Sequence, residues 1–287
     1  MANGSLKSAI SNVTPQIIMC LYMLGMSCHF TITQLMLLSK VCSSKYSEEI
    51  CADLSQHVEE ENLVQTETSQ VNTNVFLLSM IPSGFVTLIL GPISDIYGRK
   101  RVVLITVVTT LPLALSMVYQ SATPELSPTV LYTGALLSGL GGGIGAFLTT
   151  VINYVTDITP EDQRTQKLSA VLPFMMLGQT LGGPLSGMGL EYVGATSVYV
   201  VFLITTLLTL FVVVVFMEQP RVTTSSEKPK SFSLQIIYSN VTAGWRALTA
   251  PRAGTKRLQL ILLVFVTNVL CMACMAGNSM TLVWAPF

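Results

Sequence analysis

Seven stretches of the chain contain no Asp, Glu, Lys or Arg: 8–39, 68–94, 102–124, 126–156, 168–190, 192–217 and 258–287. Each is long enough to cross a hydrocarbon core of about 30 Å, for which about 20 helical residues suffice at a rise of 1.5 Å. The next longest such stretch, 231–245, is too short. Backbone amides in lipid must find partners within their own segment, so each window is predicted to be a helix. The spans read as 15–38, 73–94, 102–120, 129–153, 167–189, 193–217 and 258–283. The apolar run from Ile17 to Leu38 exceeds the 7–15 residues of a cleaved leader and is read as the first span. The pattern predicts an all-α, polytopic membrane protein. A six-helix bundle occupies 1–217, a connecting segment 218–257, and the seventh span lies in 258–287.

Composition agrees with this reading. Half of the residues (51%) are hydrophobic and only 10% charged, against roughly 25% charged in a soluble domain. Basic residues stay in cytoplasmic loops, so their distribution sets orientation. With the N-terminus in the cytoplasm, the inside segments hold Lys7, Arg99, Lys100, Arg101, Arg164, Lys167, Arg221, Lys228, Lys230, Arg246, Arg252, Lys256 and Arg257. Only Lys40 and Lys45 fall outside. The net charge of zero, with no basic patch among aromatics, argues against a nucleic-acid partner. No phosphate-binding loop, metal-ligand cluster or nucleophile arrangement occurs, so neither an enzyme nor a cofactor is expected.

The connectors add detail. The first outside loop, 39–72, is acidic (Glu48, Glu49, Asp53, Glu59, Glu60, Glu61 and Glu67) and is expected to be solvated and mobile. It carries Cys42 and Cys51 in an oxidising setting. A disulfide between them is one reading; pairing with a residue outside this chain is the other. Cys20, Cys28, Cys271 and Cys274 lie in spans and read as packing residues. In 218–257, Leu234, Ile237, Val241, Trp245 and Leu248 fall at helical spacing. They suit an amphipathic helix, either at the headgroup level or packed under the bundle. The fourth and fifth spans repeat Gly-x-x-x-Gly at Gly139/Gly143, Gly141/Gly145, Gly178/Gly182 and Gly183/Gly187, a spacing that lets helices approach closely.

Between the second and third spans the chain reads Gly91-Pro-Ile-Ser-Asp95-Ile-Tyr-Gly98-Arg99-Lys100-Arg101. A turn this tight needs a residue tolerant of positive φ, which Gly98 supplies. Asp95 lies within reach of Arg99 or Lys100, and Gly91 leaves one helix face flat. Such a charged latch can hold one conformation and break in another. The stretch resembles the G-x-x-x-D-x-x-G-R-[RK] signature of the major facilitator superfamily, at the same place in the topology. That resemblance implies twelve helices in two six-helix bundles, transport by alternating access, and a latch made of Gly91, Asp95, Gly98, Arg99 and Lys100. Within the superfamily, Thr31-Ile-Thr33-Gln34, Met80-Ile-Pro-Ser-Gly84, and Tyr154-Val-Thr-Asp157 ahead of Arg164-Thr165 resemble the proton-coupled folate transporter family, solute carrier family 46. One departure stands out: Leu172 occupies the place of an acidic residue important there for proton coupling.

Polar residues within spans are candidates for a solute or proton path, because facing hydrocarbon carries a large desolvation penalty. His29, Thr33, Gln34, Asn153 and Gln179 are the main ones, with Asn268 and Asn278 on the seventh span. His29 is weighed equally as a path residue and as a neutral structural one. Asp157 and Arg164 are expected in a cytoplasmic loop, as an ion pair or gate contact. The reading is therefore a secondary transporter of a small organic solute, such as a folate-like organic anion, with protons as the candidate driving ion. It sits in the lipid bilayer of the plasma or an endolysosomal membrane. The resemblance calls for about five helices beyond residue 287, so the chain alone is expected not to transport without a C-terminal half. The rivals are a seven-helix receptor, which places its N-terminus outside, and a truncated form that regulates a full-length paralogue.

Overall fold

A computed structural model of the chain describes residues 2–123, 125 and 127–218, together with positions 242, 250, 258, 259, 262 and 266. The chain divides into units 1–227 and 228–287. The predicted seventh span and nearly all of the connecting segment lie outside the described residues.

Among the described residues every regular element is helical: α1 (Ala2–Lys45), α2 (Glu48–Ala52), α3 (Val58–Tyr97), α4 (Arg99–Ala122), α5 (Pro128–Leu140), α6 (Gly143–Ile158), α7 (Arg164–Val193) and α8 (Ala195–Phe216). Among the described residues six segments are long and apolar enough to cross a membrane, with α5 and α6 together forming one of them.

Two helices overrun the ends that charge predicts. α3 has 40 residues, about 60 Å of helix and twice the hydrocarbon thickness. The expected mobile loop over 39–72 is therefore corrected: α1 continues to Lys45, α3 begins at Val58, and only 46–57 connect them. The cause is an inward stripe that carries on past the charges. Val64, Thr68, Val71 and Val75 recur at three- and four-residue spacing and are buried, while Glu59, Glu60 and Glu61 sit in the first turn of α3, where the helix dipole favours acids. Val64 packs with Val41 and Cys42 in a small cluster that includes Tyr46 and Leu54, and Lys45 pairs with Glu67 across the hairpin.

The bundle is organised around α1, which packs against α7 on one side and α8 on another. α4 packs against α8, α5 and α6, and α3 against α5, α6 and α1. Tyr22, Phe147, Tyr154, Tyr199 and Phe202 fill the interior. A Cβ at Gly178 would collide with the Cys20 carbonyl, and one at Gly182 with Ser27. α7 therefore lies backbone against backbone on α1, whereas Gly183 and Gly187 face open space. The outer sides of α4 and α8 expose Ile105, Val108, Leu115, Ile204, Leu207, Leu208 and Phe211, a surface composed for lipid. The open sides of α3 and α7 mix Leu, Phe and Met with Asn74, Gln179 and Thr180.

The predicted fourth span is not one continuous helix. It breaks at Gly141–Gly142, where Gly142 has φ +87° and Gly143 φ +51°. Carbonyls at such a break need donors in lipid, and that of Gly142 accepts the Ala146 N–H of α6 at 3.0 Å. Ser83 Oγ donates to the Gly142 carbonyl at 2.7 Å, Thr87 Oγ1 to the same carbonyl at 3.3 Å, and Thr106 Oγ1 to that of Gly141 at 3.2 Å.

Candidate functional site

α3 and α4 are separated by one residue. Gly98, at φ +95°, caps α3 by donating its N–H to the Ser94 carbonyl at 3.0 Å, and α4 begins at Arg99. The turn folds Arg99 back over the end of α3. Its Nη2 lies 2.5 Å from Asp95 Oδ1, its Nε donates to Asp157 Oδ2 at 2.8 Å, and its Nη1 donates to Ser94 Oγ. The Arg99 side chain is only 13% exposed, against 61% for Asp95 and 42% for Asp157. Lys100 Nζ donates to the Val214 carbonyl in the last turn of α8, at 2.7 Å.

Helix dipoles explain why these charges need one another. Arg99, Lys100 and Arg101 crowd the first turn of α4, and Asp95 and Asp157 sit in the last turns of α3 and α6. Each is at the helix end that disfavours its sign. Arg99 gathers both carboxylates, and Lys100 reaches the C-terminal end of α8, where a cation is favoured.

The predicted latch and the predicted gate thus share one residue. Asp157 lies within α6 rather than in a loop, and its partner is Arg99, not Arg164. Arg164 instead pairs with Glu161 at 3.6 Å and donates to the Thr159 carbonyl at 3.3 Å. Gly91 is half-buried, and a Cβ there would meet nothing within 4 Å.

The polar residues of α1 divide between two neighbours. Gly25, His29 and Thr33 face α8. His29 is 5% exposed, its ring stacks on Phe202 at 5.2 Å, and its Nδ1 lies 3.1 Å from Thr33 Oγ1. Tyr199 donates its hydroxyl to Thr33 Oγ1 at 3.2 Å. His29 and Thr33 therefore sit inside the bundle, not on an open face. Ser27 turns toward α7, where its Oγ donates to the Gln179 carbonyl at 2.8 Å, and Thr31 Oγ1 donates to the Ser27 carbonyl at 2.9 Å. Gln34 and Asn153 are half-buried, and Gln179 is exposed. All three retain exposure.

Other polar partners carry no sequence signal beyond an ordinary hydroxyl. Tyr22 stacks on Phe147 at 3.8 Å and places its hydroxyl 3.4 Å from Thr110 Oγ1. The donors at the α5–α6 break, Ser83, Thr87 and Thr106, are equally ordinary in sequence. At the opposite end of the bundle from Arg99, Cys42 and Cys51 are joined by a disulfide with Cα atoms 5.9 Å apart.

The Major Facilitator Superfamily profile matches residues 15–287. A protein of Schizosaccharomyces pombe described as an uncharacterized membrane protein is 31% identical over 189 residues, 66% of this chain and 28% of that protein. The lysosomal proton-coupled steroid conjugate and bile acid symporter of Gallus gallus, a solute carrier family 46 member, is 22% identical over 273 residues, 91% of this chain and 58% of that protein. The chain thus spans between a quarter and three-fifths of the length of these relatives.

Proposed function

The chain belongs to the major facilitator superfamily, and on that premise we propose that it serves secondary transport of a small amphipathic organic anion by alternating access. The observation that carries the proposal is the Arg99 cluster, which ties α3, α4 and α6 at one end of the bundle through contacts of 2.5 and 2.8 Å. A contact of this kind stabilises one conformation and must open in the other. The steroid-conjugate specificity named for the Gallus gallus relative supports the solute class. Gln34, Asn153 and Gln179 are the proposed path residues, and Asp157 with Arg99 the proposed gate.

Orientation follows the charge bias: the Arg99 end faces the cytoplasm, and the Cys42–Cys51 end faces the exterior or a lumen. Proton coupling rests on fewer groups, since Leu172, 47% exposed on α7, stands where solute carrier family 46 carries an acid. His29 is the proposed proton-responsive residue, acting through Thr33 and Tyr199.

The test is uptake of a radiolabelled steroid sulfate into membrane vesicles carrying the chain, alone and co-expressed with a second six-helix half, with and without a pH gradient. Uptake that rises with the gradient and is lost in Arg99→Ala supports the proposal. Uptake indifferent to the gradient removes proton coupling. A neutral solute carried in preference to every anion removes the solute class. A seven-helix receptor is set aside by the family membership.

A further inference from the structure

We propose that α5 and α6 are the two arms of a hinged lever, with its pivot at Gly141–Gly143, and that the α6 arm swings when Asp157 leaves Arg99 while the α5 arm stays fixed. The proposal deepens the alternating-access reading but stands on geometry alone.

Three independent features carry it. The first is the pivot. Two consecutive residues have left-handed backbone, Gly142 and Gly143. α5 closes with short i to i+3 bonds, Gly141 N–H to Ser138 O at 3.1 Å and Gly142 N–H to Gly139 O at 2.9 Å, and no side chain caps the first turn of α6. The α-helical ladder that would stiffen the joint is interrupted.

The second is the pair of unequal arms. α5 is locked by close approach: a Cβ at Gly139 would collide with the Ser79 carbonyl of α3, and one at Gly134 would overlap the Ser116 side chain and lie 3.1 Å from the Pro112 carbonyl of α4. α6 is held by side chains, through the Tyr22–Phe147 stack and the Asp157–Arg99 pair, and its other face leaves Thr149 exposed. Side-chain contacts exchange; interlocked backbones do not.

The third is the set of donors at the joint. Thr87 Oγ1 faces both its own-helix Ser83 carbonyl at 2.7 Å and the Gly142 carbonyl at 3.3 Å. Thr106 Oγ1 faces both the Val102 carbonyl at 2.9 Å and the Gly141 carbonyl at 3.2 Å. When the joint moves, each hydroxyl retains an acceptor in its own helix. These two hydroxyls are not orphaned in lipid, and the Gly142 carbonyl keeps the Ala146 N–H of α6 at 3.0 Å. Only the Ser83 hydroxyl must exchange its partner, so the penalty for moving the broken helix is reduced.

The α6 arm has 16 residues, about 24 Å. A turn of about 20°, the size of an ordinary helix kink, displaces its far end by about 8 Å. The experiment measures distances by electron–electron resonance in the full chain in nanodiscs. Spin labels are placed on unnatural amino acids, so the native cysteines remain. One pair, at positions 161 and 215, reports the α6 end against α8. The other, at 129 and 39, reports the start of α5 against α1. All four positions are exposed.

In Asp157→Asn the inner distance shifts by about 8 Å and the outer one stays within 2 Å. Ser83→Ala, which removes a joint donor and leaves the ion pair, broadens the inner distribution, and Ser83→Thr restores it. Equal shifts in both pairs mean that α5 and α6 move as one body, and the lever is wrong. An inner distance unmoved in both Asp157→Asn and Ser83→Ala also overturns it. Should Asp157→Asn fail to fold, Ser83→Ala decides. Uptake plays no part in this readout, so failure of the transport reading leaves the result intact.

Discussion

The Arg99 cluster makes a quantitative prediction because its two carboxylates differ in exposure and in origin. Asp157→Asn removes a charge-assisted bond of 2.8 Å from an arginine that is 13% exposed. Bonds of this type contribute about 1.5–3 kcal/mol, and fully exposed pairs less than about 1 kcal/mol. Asp157 is 42% exposed, which puts the loss at about 1–2 kcal/mol. Removing a negative charge from the last turn of α6 returns a few tenths, so the expected net cost is about 1–1.5 kcal/mol. Asp95 is 61% exposed and holds Arg99 from four residues away on the same turn, so Asp95→Asn costs below about 1 kcal/mol. Arg99→Ala strips the partner from both carboxylates at once and costs about 2–3 kcal/mol. The assay is denaturant unfolding in mixed micelles, with a double-mutant cycle between positions 99 and 157. The expected coupling is about 1–2 kcal/mol. If Asp95→Asn costs as much as Asp157→Asn, or the 99–157 coupling stays under about 0.5 kcal/mol, the account of the cluster is wrong.

Three further outcomes are expected. Gly178→Leu drives a side chain into the Cys20 carbonyl and lowers stability by at least about 1–3 kcal/mol. Gly183→Leu, which faces open space, stays within about 0.5 kcal/mol, and the same unfolding assay separates them. The Cys42–Cys51 bridge, with a sequence separation of 9, contributes about 2.5 kcal/mol through loop closure. A mass-tagged maleimide should therefore label these positions only after reduction, and reduction should lower the melting temperature of the whole chain. Tyr199→Phe removes the hydroxyl that donates to Thr33 and costs about 1 kcal/mol; a change under about 0.3 kcal/mol, measured by the same titration, would show that the His29–Thr33–Tyr199 contact adds nothing to the α1–α8 interface.

The spans were legible because lipid excludes charge, so 192–217 and 102–124 announced themselves by what they lack. Their ends were not, because absence of charge marks the membrane and not the helix. α3 continues outward past Glu67 on the strength of Val64, Thr68, Val71 and Val75, a stripe too sparse to notice beside seven acids. The turn at Gly98 was legible because its residues are consecutive. The partner of Asp157 was not, because Arg99 lies 58 residues away and Arg164 is nearer in sequence. His29 shows a different limit. Both faces of α1 are polar, and which one meets α8 depends on the packing order of the bundle. Gly139–Gly145 shows a third: closely spaced glycines signal helix packing and helix breaks alike, and here the break at Gly142 coexists with close packing at Gly139.

Arg99 has one partner it keeps and one it can release. Asp95 sits across the one-residue turn and travels with it, whereas Asp157 arrives from α6. In the proposed gate, opening the cluster leaves the half-buried guanidinium with Asp95 and Ser94 and so avoids an unpaired charge, which costs about 3–5 kcal/mol where burial is complete. It costs only the Asp157 share, about 1–2 kcal/mol. A tenfold change in population corresponds to about 1.4 kcal/mol, and a bound ligand can supply that much as differential affinity between two states. Without Asp95, release of Asp157 would leave the guanidinium only Ser94 Oγ, and the proposed gate would cost more to open. On the proposed gate, the role of Asp95 is to lower the cost of releasing Asp157. That explains why a carboxylate 61% exposed, worth little to stability by itself, occupies the end of α3 where the helix dipole disfavours it.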